Sequence, residues 1–449
     1  MSTIAILISG VSVATEGATP YVGSHVCQPC HTAEHRAWTA SHHDRAMEEA
    51  TEQTVLGRFD DVEFSFGTTH ARFFRRDGEF FVHTSGPDGS PADFAVRYTF
   101  GFEPLQQLLL ELPGGRMQAF TVAWDARAKS AGGQRWFRLA PDEPMPTGDV
   151  MHWTGVAQNW NSMCADCHST GFRKGYSAVD DRFASTWAEI DVACEACHGP
   201  GAQHVAWERS DEKAPIANRG LSVDLRGDGA TWAIRPETGI AERSKPRTSE
   251  AELQSCAPCH SRRSQIVADP QPGATFLDSY VPDLIEDGLY YPDGQIRDEV
   301  FEWGSFVQSA MHAKGVTCGD CHDPHSLALR GGTAAVCLQC HDAAKFSTKA
   351  HHGHEPASRG SACVDCHMPE TVYMGIDGRR DHSFRVPRPE LSAALGVPNP
   401  CQGCHADEPH SWAASHIASW RTGTARTQSQ FATALARAWS GEANDGTEL

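Results

Sequence analysis

Positive charge is missing from the start of this chain and scarce along the rest of it. No lysine or arginine precedes Arg36, and 38 Lys and Arg face 57 Asp and Glu across 449 residues, a formal net charge of −19. Such a surface repels phosphates, which excludes nucleic acid as a partner. Long apolar runs are missing too. Beyond Ile4–Ala14 none approaches the about 20 residues of a membrane-spanning helix, so no membrane span is expected. Tyrosine is rare, seven in all and none after Tyr373, and no tract has low complexity. Nor is any cysteine left over.

The 16 cysteines fall in pairs two residues apart, and a histidine follows each pair directly. In order these CxxCH motifs are Cys27/Cys30/His31, Cys164/Cys167/His168, Cys194/Cys197/His198 and Cys256/Cys259/His260, then Cys318/Cys321/His322, Cys337/Cys340/His341, Cys363/Cys366/His367 and Cys401/Cys404/His405. In c-type attachment the two thiols add to the haem vinyl groups and the adjacent histidine becomes the proximal iron ligand. A disulfide framework is a poor alternative, because a two-residue loop crosslinks nothing distant. Zinc knuckles would not require a histidine after every pair. The pattern therefore implies eight covalently attached haems c, with those eight histidines as proximal ligands.

Haem is joined to cysteine outside the bacterial cytoplasm, so a periplasmic or otherwise extracytoplasmic location follows. Residues 1–20 read as a signal-like segment with small residues around a cleavage point after Ala14, though without the usual basic start. Residues 21–54 carry the first motif. Residues 55–142 hold no motif and read as an inserted small antiparallel β domain. There ARFFRRDGEFFVHT (71–84) alternates around Asp77-Gly78 as a hairpin does, and 92–101, 116–125 and 135–140 are β-branched and aromatic. Motifs two to four lie in 143–270 and motifs five to eight in 271–405; residues 406–449 form a tail with helical spacing in 411–420 and 431–439. The fold class expected is a multihaem cytochrome c: short α-helices and irregular structure packed around haems, with the β domain inserted.

Of 24 histidines, 16 lie outside the motifs, enough to give every iron a second axial nitrogen. Candidates for that distal position are His42, His43, His152, His204, His325, His351, His352, His354, His382 and His416, several of them beside turn-forming Gly or Pro. Iron held by two histidines is coordinatively closed and suits electron transfer rather than substrate binding.

CVDCHMPE (363–370), DHSFR (381–385) and GVTCGDCHDPHS (315–326) resemble the five-haem core shared by cytochrome c nitrite reductases, hydroxylamine oxidoreductases and octahaem nitrite or tetrathionate reductases. CEACHGPGAQH (194–204) is similar to segments of those proteins and of the nitrifiers' tetrahaem cytochrome. The chain also resembles, over nearly its whole length, a multihaem family of doubled CxxCH motifs. By order, the catalytic haem of the reductases corresponds to the fourth motif here. The resemblance implies lysine in place of its proximal histidine, where this chain keeps His260, and a tyrosine after the third core haem, where it has Phe346. The reductases' distal histidine precedes a CxxCHMP motif, a position occupied here by His351, His352 and His354. A hydroxylamine oxidoreductase implies a tyrosine beyond the last motif, and there is none.

Two readings follow. In the first, electrons pass through eight haems between donor and acceptor proteins, which basic partner surfaces would suit. In the second, the fourth haem reduces a small nitrogen or sulfur oxyanion, with Arg262, Arg263, Arg247, Tyr290, Tyr291 and His354 as candidate site residues. Arginine beside an open iron would hold an oxyanion; neutralising haem propionates is the other use for it.

Overall fold

The structure, a computed structural model, describes residues 20–140, 144–420 and 430–441. The signal-like segment, apart from Pro20, lies outside the described residues. The chain first makes two short helices, Ser24–Cys27 and Thr32–Trp38, around the first motif, and then enters a sheet.

The sheet has nine antiparallel strands: β1 (Met47–Glu49), β2 (Val62–Phe66), β3 (Thr69–Arg76), β4 (Glu79–Ser85), β5 (Pro91–Phe100), β6 (Leu105–Leu112), β7 (Arg116–Ala119), β8 (Val122–Asp125) and β9 (Arg135–Arg138). Its order is β2-β3-β4-β5-β6-β8-β9, with β1 beside β5 and β7 beside β6. The Asp77-Gly78 hairpin forms as its residues dictate. Both have positive φ, 53° and 85°, the twist a two-residue turn needs between right-handed strands. A register shift between Val96 and Tyr98 lets β5 pair β4 along its first half and β1 along its second.

The sheet is larger than the sequence suggested: β1 is only three residues long and β6 carries no alternation that marks it. Strand β6, LQQLLLEL, is buried almost throughout and so has no polar face. Leu108, Leu110 and Leu112 point into a core with Phe73, Phe120, Val122 and Trp136, whereas Leu109 packs on the other side with Met47, Phe100, Trp160 and Ala165. That second core borders Cys164, so the second motif is seated directly on the sheet.

After the sheet the chain makes short helices, 3-10 turns and four two-stranded hairpins, among them Arg263–Gln265 with Tyr280–Pro282 and Glu370–Tyr373 with Asp377–Arg380. The apolar cores here are small, three buried residues each. Several motifs sit in helical turns, such as Cys194–His198, Ala251–His260 and Cys363–His367, which bring cysteines three apart onto one face. The tail helices His410–Trp420 and Gln430–Trp439 appear where the spacing placed them. Among the described residues no helix is long and apolar enough to cross a membrane.

Candidate haem-binding sites

None of the 16 cysteines is in a disulfide. Among the described residues no group of three or more His, Cys, Asp and Glu converges as a metal cluster would. The zinc reading therefore has no ligand set to stand on.

The histidines form a definite pattern. Six motif histidines each face a histidine from outside the motifs: His31 with His204 at 6.3 Å between ring centres, His198 with His325 at 6.4 Å, His260 with His43 at 6.3 Å, His322 with His382 at 6.5 Å, His367 with His351 at 6.1 Å, and His405 with His354 at 6.2 Å. A metal–imidazole bond of about 2 Å, plus about 1 Å from nitrogen to ring centre, puts two trans imidazoles about 6 Å apart. The spacing fits one iron between each pair. Burial, with His260 and His42 adding to it, pulls His43 down to about 4, which keeps it neutral as an iron ligand must be. Burial likewise lowers His198, His322 and His351.

Local folding explains the facing rings. His204 lies on the helix Ala202–Arg209 that follows Gly199-Pro200-Gly201, and its Nδ1 donates to the Arg219 carbonyl at 2.9 Å. His382 turns back through a bond from its Nδ1 to the Arg380 carbonyl, 2.9 Å. His43 is delivered by a strap: Trp38 Nε1 donates to the Val192 carbonyl (3.0 Å) and Val192 N–H to the His43 carbonyl (3.1 Å).

Four of the expected distal histidines stand elsewhere. His42 stacks on Phe102 at 4.6 Å, and His152 bonds Thr154 at 2.8 Å. His416 lies over Trp412 at 4.2 Å, its Nδ1 donating to the Trp412 carbonyl, because their four-residue spacing holds both on one helix face. His352 accepts the backbone N–H of His354 and faces no motif histidine. His168 and His341 in turn face no histidine, although all 24 histidines lie among the described residues. His168 meets the Phe100 edge at 5.7 Å and donates from Nδ1 to the Ala46 carbonyl; His341 meets the Phe346 edge at 5.3 Å.

The six residues considered for oxyanion chemistry do not converge. Arg262 is held by Asp283 and Asp298, Arg247 by Asp320 and the Gly315 carbonyl, and Arg263 by Asp166 while stacking on Tyr280. These arginines are thus neutralised by protein carboxylates. Tyr290 is buried against Ile296 and Val300, Tyr291 lies under Arg297, and His354 faces the eighth motif rather than the fourth. His351 and His354 face the histidines of the seventh and eighth motifs, not the fourth motif's histidine as the reductase resemblance implied.

The motifs also touch one another. The Cys27 thiol lies against Cys194, Cys167 against Cys259, Cys256 against Cys318, and Cys337 against Cys363. Cys197 is near enough to Cys256 and Cys259 to interact with their charge, as are Cys321 with Cys340 and Cys366 with Cys401 and Cys404.

Cys30 departs from this pattern. It was expected to hold haem on the same footing as its partner Cys27, but the two thiols stand in different surroundings. Cys27 is half-buried, whereas Cys30 is exposed. The reason is local. The helix Ser24–Cys27 buries no residue, and after it the chain turns outward through the exposed Gln28 and Pro29, with Cys30 N–H bonded to the Cys27 carbonyl at 3.2 Å. The assignment of Cys30, like that of the other motif cysteines, rests on the motif. Cys404 is exposed as well, in the last motif, while the remaining cysteines are half-buried.

One residue that sequence reasoning missed helps to set the contact between the first and third motifs. Glu195, inside the third motif and 1% exposed, accepts the backbone N–H groups of Val22 (3.0 Å), Gly23 (2.7 Å) and Gly201 (2.7 Å), while Glu189 takes Ser24. The two carboxylates bolt the first motif's helix to the third motif. A glutamate between motif cysteines, with no charge nearby in sequence to pair it, was the available signal.

Residues 145–199 match the family model for cytochrome c554 and c-prime, and residues 311–346 match the doubled CXXCH motif. No curated protein matches. Among solved structures, the outer cell wall cytochrome OcwA is 19% identical with a TM-score of 0.58, over 89% of this chain and 86% of that one. An undecahaem S-layer cytochrome of Carboxydothermus ferrireducens (17% identity, 96% and 67% covered, TM-score 0.42) is more distant. So is the octahaem sulfite reductase MccA of Wolinella succinogenes (15%, 82% and 59%, TM-score 0.37). The first of these shares the fold, helices with a large antiparallel sheet domain. With both family models falling on CxxCH segments, the chain is a multihaem c-type cytochrome.

Proposed function

We propose that the chain binds eight haems c through its eight CxxCH motifs and passes electrons along them outside the cytoplasm, between a donor and an acceptor protein. Each haem would supply one reversible electron at its iron. The cysteines of each motif would hold one macrocycle, Cys30 doing so at the protein surface. His31 with His204, His198 with His325, His260 with His43, His322 with His382, His367 with His351 and His405 with His354 would each hold one iron, and His168 and His341 would hold the remaining two. The observation that carries the reading is that six motif histidines each face a second histidine at 6.1–6.5 Å, with the motif cysteines lying near one another from Cys27 to Cys404. The location is supported by the chemistry of haem attachment and by the cell-wall relative of like fold.

The test is intact-mass analysis of mature protein, followed by a reductive titration. Eight covalently bound haems and eight electron equivalents per chain are expected. Unmodified thiols, or haems that reduce as isolated groups without exchanging electrons, would refute the proposal.

A second reading keeps the reductase but moves it. The fourth motif already offers two imidazoles, so the oxyanion site expected there has no open position. His168 and His341 face no histidine, and the alternative places a small nitrogen or sulfur oxyanion at one of those two irons. Cyanide binding to the oxidised protein would support it, and an entirely low-spin, cyanide-inert protein would exclude it.

A further inference from the structure

The hydrogen bond behind an axial histidine sets how much negative charge its ring carries, and so how well it stabilises the ferric ion. Where motif histidines use Nδ1, the partner is usually a neutral backbone carbonyl: Ala46 for His168 (3.3 Å), Leu327 for His322 (3.5 Å) and Arg385 for His367 (2.7 Å). The fourth motif differs. His260 Nδ1 lies 3.0 Å from Glu302 Oε2, a carboxylate on the helix Phe301–Phe306. Arg379, which also feels the Glu302 charge, is itself ion-paired with Glu299 and Asp377, whereas His260 holds the hydrogen bond to Glu302.

The fourth motif is also the junction of the run. Cys259 touches the second motif, Cys256 touches the fifth, and Cys197 of the third lies beside both. The fourth motif thus borders the second, third and fifth motifs, so the potential His260 confers bears on transfer between the two arms.

We propose that Glu302 is a positioning residue that gives His260 imidazolate character and makes the fourth haem the most reducing site of the chain. An electron then rests on either arm and crosses the junction without stopping there. The inference depends on the haem ligation proposed above. Its effect is a fold-change in the ferric-to-ferrous ratio at a given applied potential. Replacing a charged acceptor by a neutral one is expected to change that ratio at least tenfold, 59 mV for one electron.

The experiment is a potentiometric titration, followed by electron paramagnetic resonance, of the full chain loaded with haem and of its Glu302→Gln, Glu302→Ala and Glu302→Asp forms. Haem content is first checked by mass. If the native protein lacks its haems, the ligation reading fails and not this one. In the loaded protein, Glu302→Gln and Glu302→Ala should move the lowest transition alone to higher potential, by tenfold or more, and Glu302→Asp should restore it. An unmoved lowest transition, or a uniform shift of all transitions, overturns the proposal. Should Gln and Ala forms fail to load, near-infrared magnetic circular dichroism of the native protein decides. One low-spin haem with a charge-transfer band displaced toward imidazolate ligation is expected, and a single common band refutes it.

Discussion

His204→Ala offers the cleanest trial of the axial pairs. The helix Ala202–Arg209 that bears His204 buries no residue, so truncation there costs little packing. The bond from Nδ1 to the Arg219 carbonyl is lost, about 1 kcal/mol. The fold and haem content should survive. The iron held by His31 would lose its second nitrogen, because His204 is the histidine whose ring faces His31, at 6.3 Å. One haem in eight, an eighth of the total, should then pass from low to high spin. Spin quantification of the oxidised protein by electron paramagnetic resonance measures that fraction directly. His416→Ala is the control: its ring stacks on Trp412 and should contribute nothing to the spin balance. A His204 variant with the native spin ratio, or a His416 variant that gains the eighth, would show that a ring spacing of 6.3 Å does not report ligation.

Glu195→Ala should unfold more readily by about 2 kcal/mol, since it strands one buried and two part-buried N–H donors; denaturant titration tests this, and a loss below about 1 kcal/mol would refute the clamp. Leu110→Ala, at a fully buried position of β6, should cost about 2–5 kcal/mol in the same assay, whereas Val179→Ala, 95% exposed, should be silent. Burial, then Glu189 and Asp44, push the Asp191 carboxyl up to about 7 from 3.8. The folded chain thus holds a proton that the unfolded chain releases, so stability should fall as pH rises from about 4 to about 7 and level off above. With the shift halved for solvent contact this amounts to about 2 kcal/mol, and Asp191→Asn should abolish the fall in melting temperature.

The attachment chemistry was legible because CxxCH is a local signal. The two cysteines and the histidine need only one helical turn to act together. What the motif does not carry is how deeply each thiol is seated: Cys27 and Cys30 read alike in sequence, yet only Cys27 meets another motif, because the chain turns outward between them. Distal ligands are a long-range property. His42 and His43 are adjacent, so spacing alone does not separate them; the strap from Trp38 to Val192 turns one toward His260 and leaves the other on Phe102. The crowd of His351, His352 and His354 is visible in the sequence, but not that its rings face two motifs: His351 lies on the helix Lys349–His352, and His354 lies beyond its left-handed Gly353 cap. Strand β6 was missed for a different reason: burial on both faces erases the alternation that betrays a strand. The arginines were expected to meet propionates or an oxyanion. Their carboxylate partners Asp283, Asp298, Asp320 and Asp166 are remote in sequence from them, so nothing local announced the pairing.

The insertion of more than a hundred residues between the first two motifs separates them in sequence but not in space. The two ends of the insertion meet: β1 pairs with the end of β5, and Met47 and Phe100 meet Trp160 and Ala165 in one core. The chain thus leaves for the sheet at Ala46, whose carbonyl binds His168, and returns from it at the second motif. What precedes the sheet then reaches three sites at once: His31 in its own motif, His43 opposite the fourth, and the Ala46 carbonyl behind the second. The spatial run is accordingly one-three-four-five-six-seven-eight with the second motif as a branch at the fourth, which is not the covalent order. A polypeptide that crosses its own run in this way ties the junction to both ends of the first segment. Loosening residues 20–46 should therefore disturb the second and fourth sites before the fifth to eighth, which hydrogen exchange on the loaded protein would resolve.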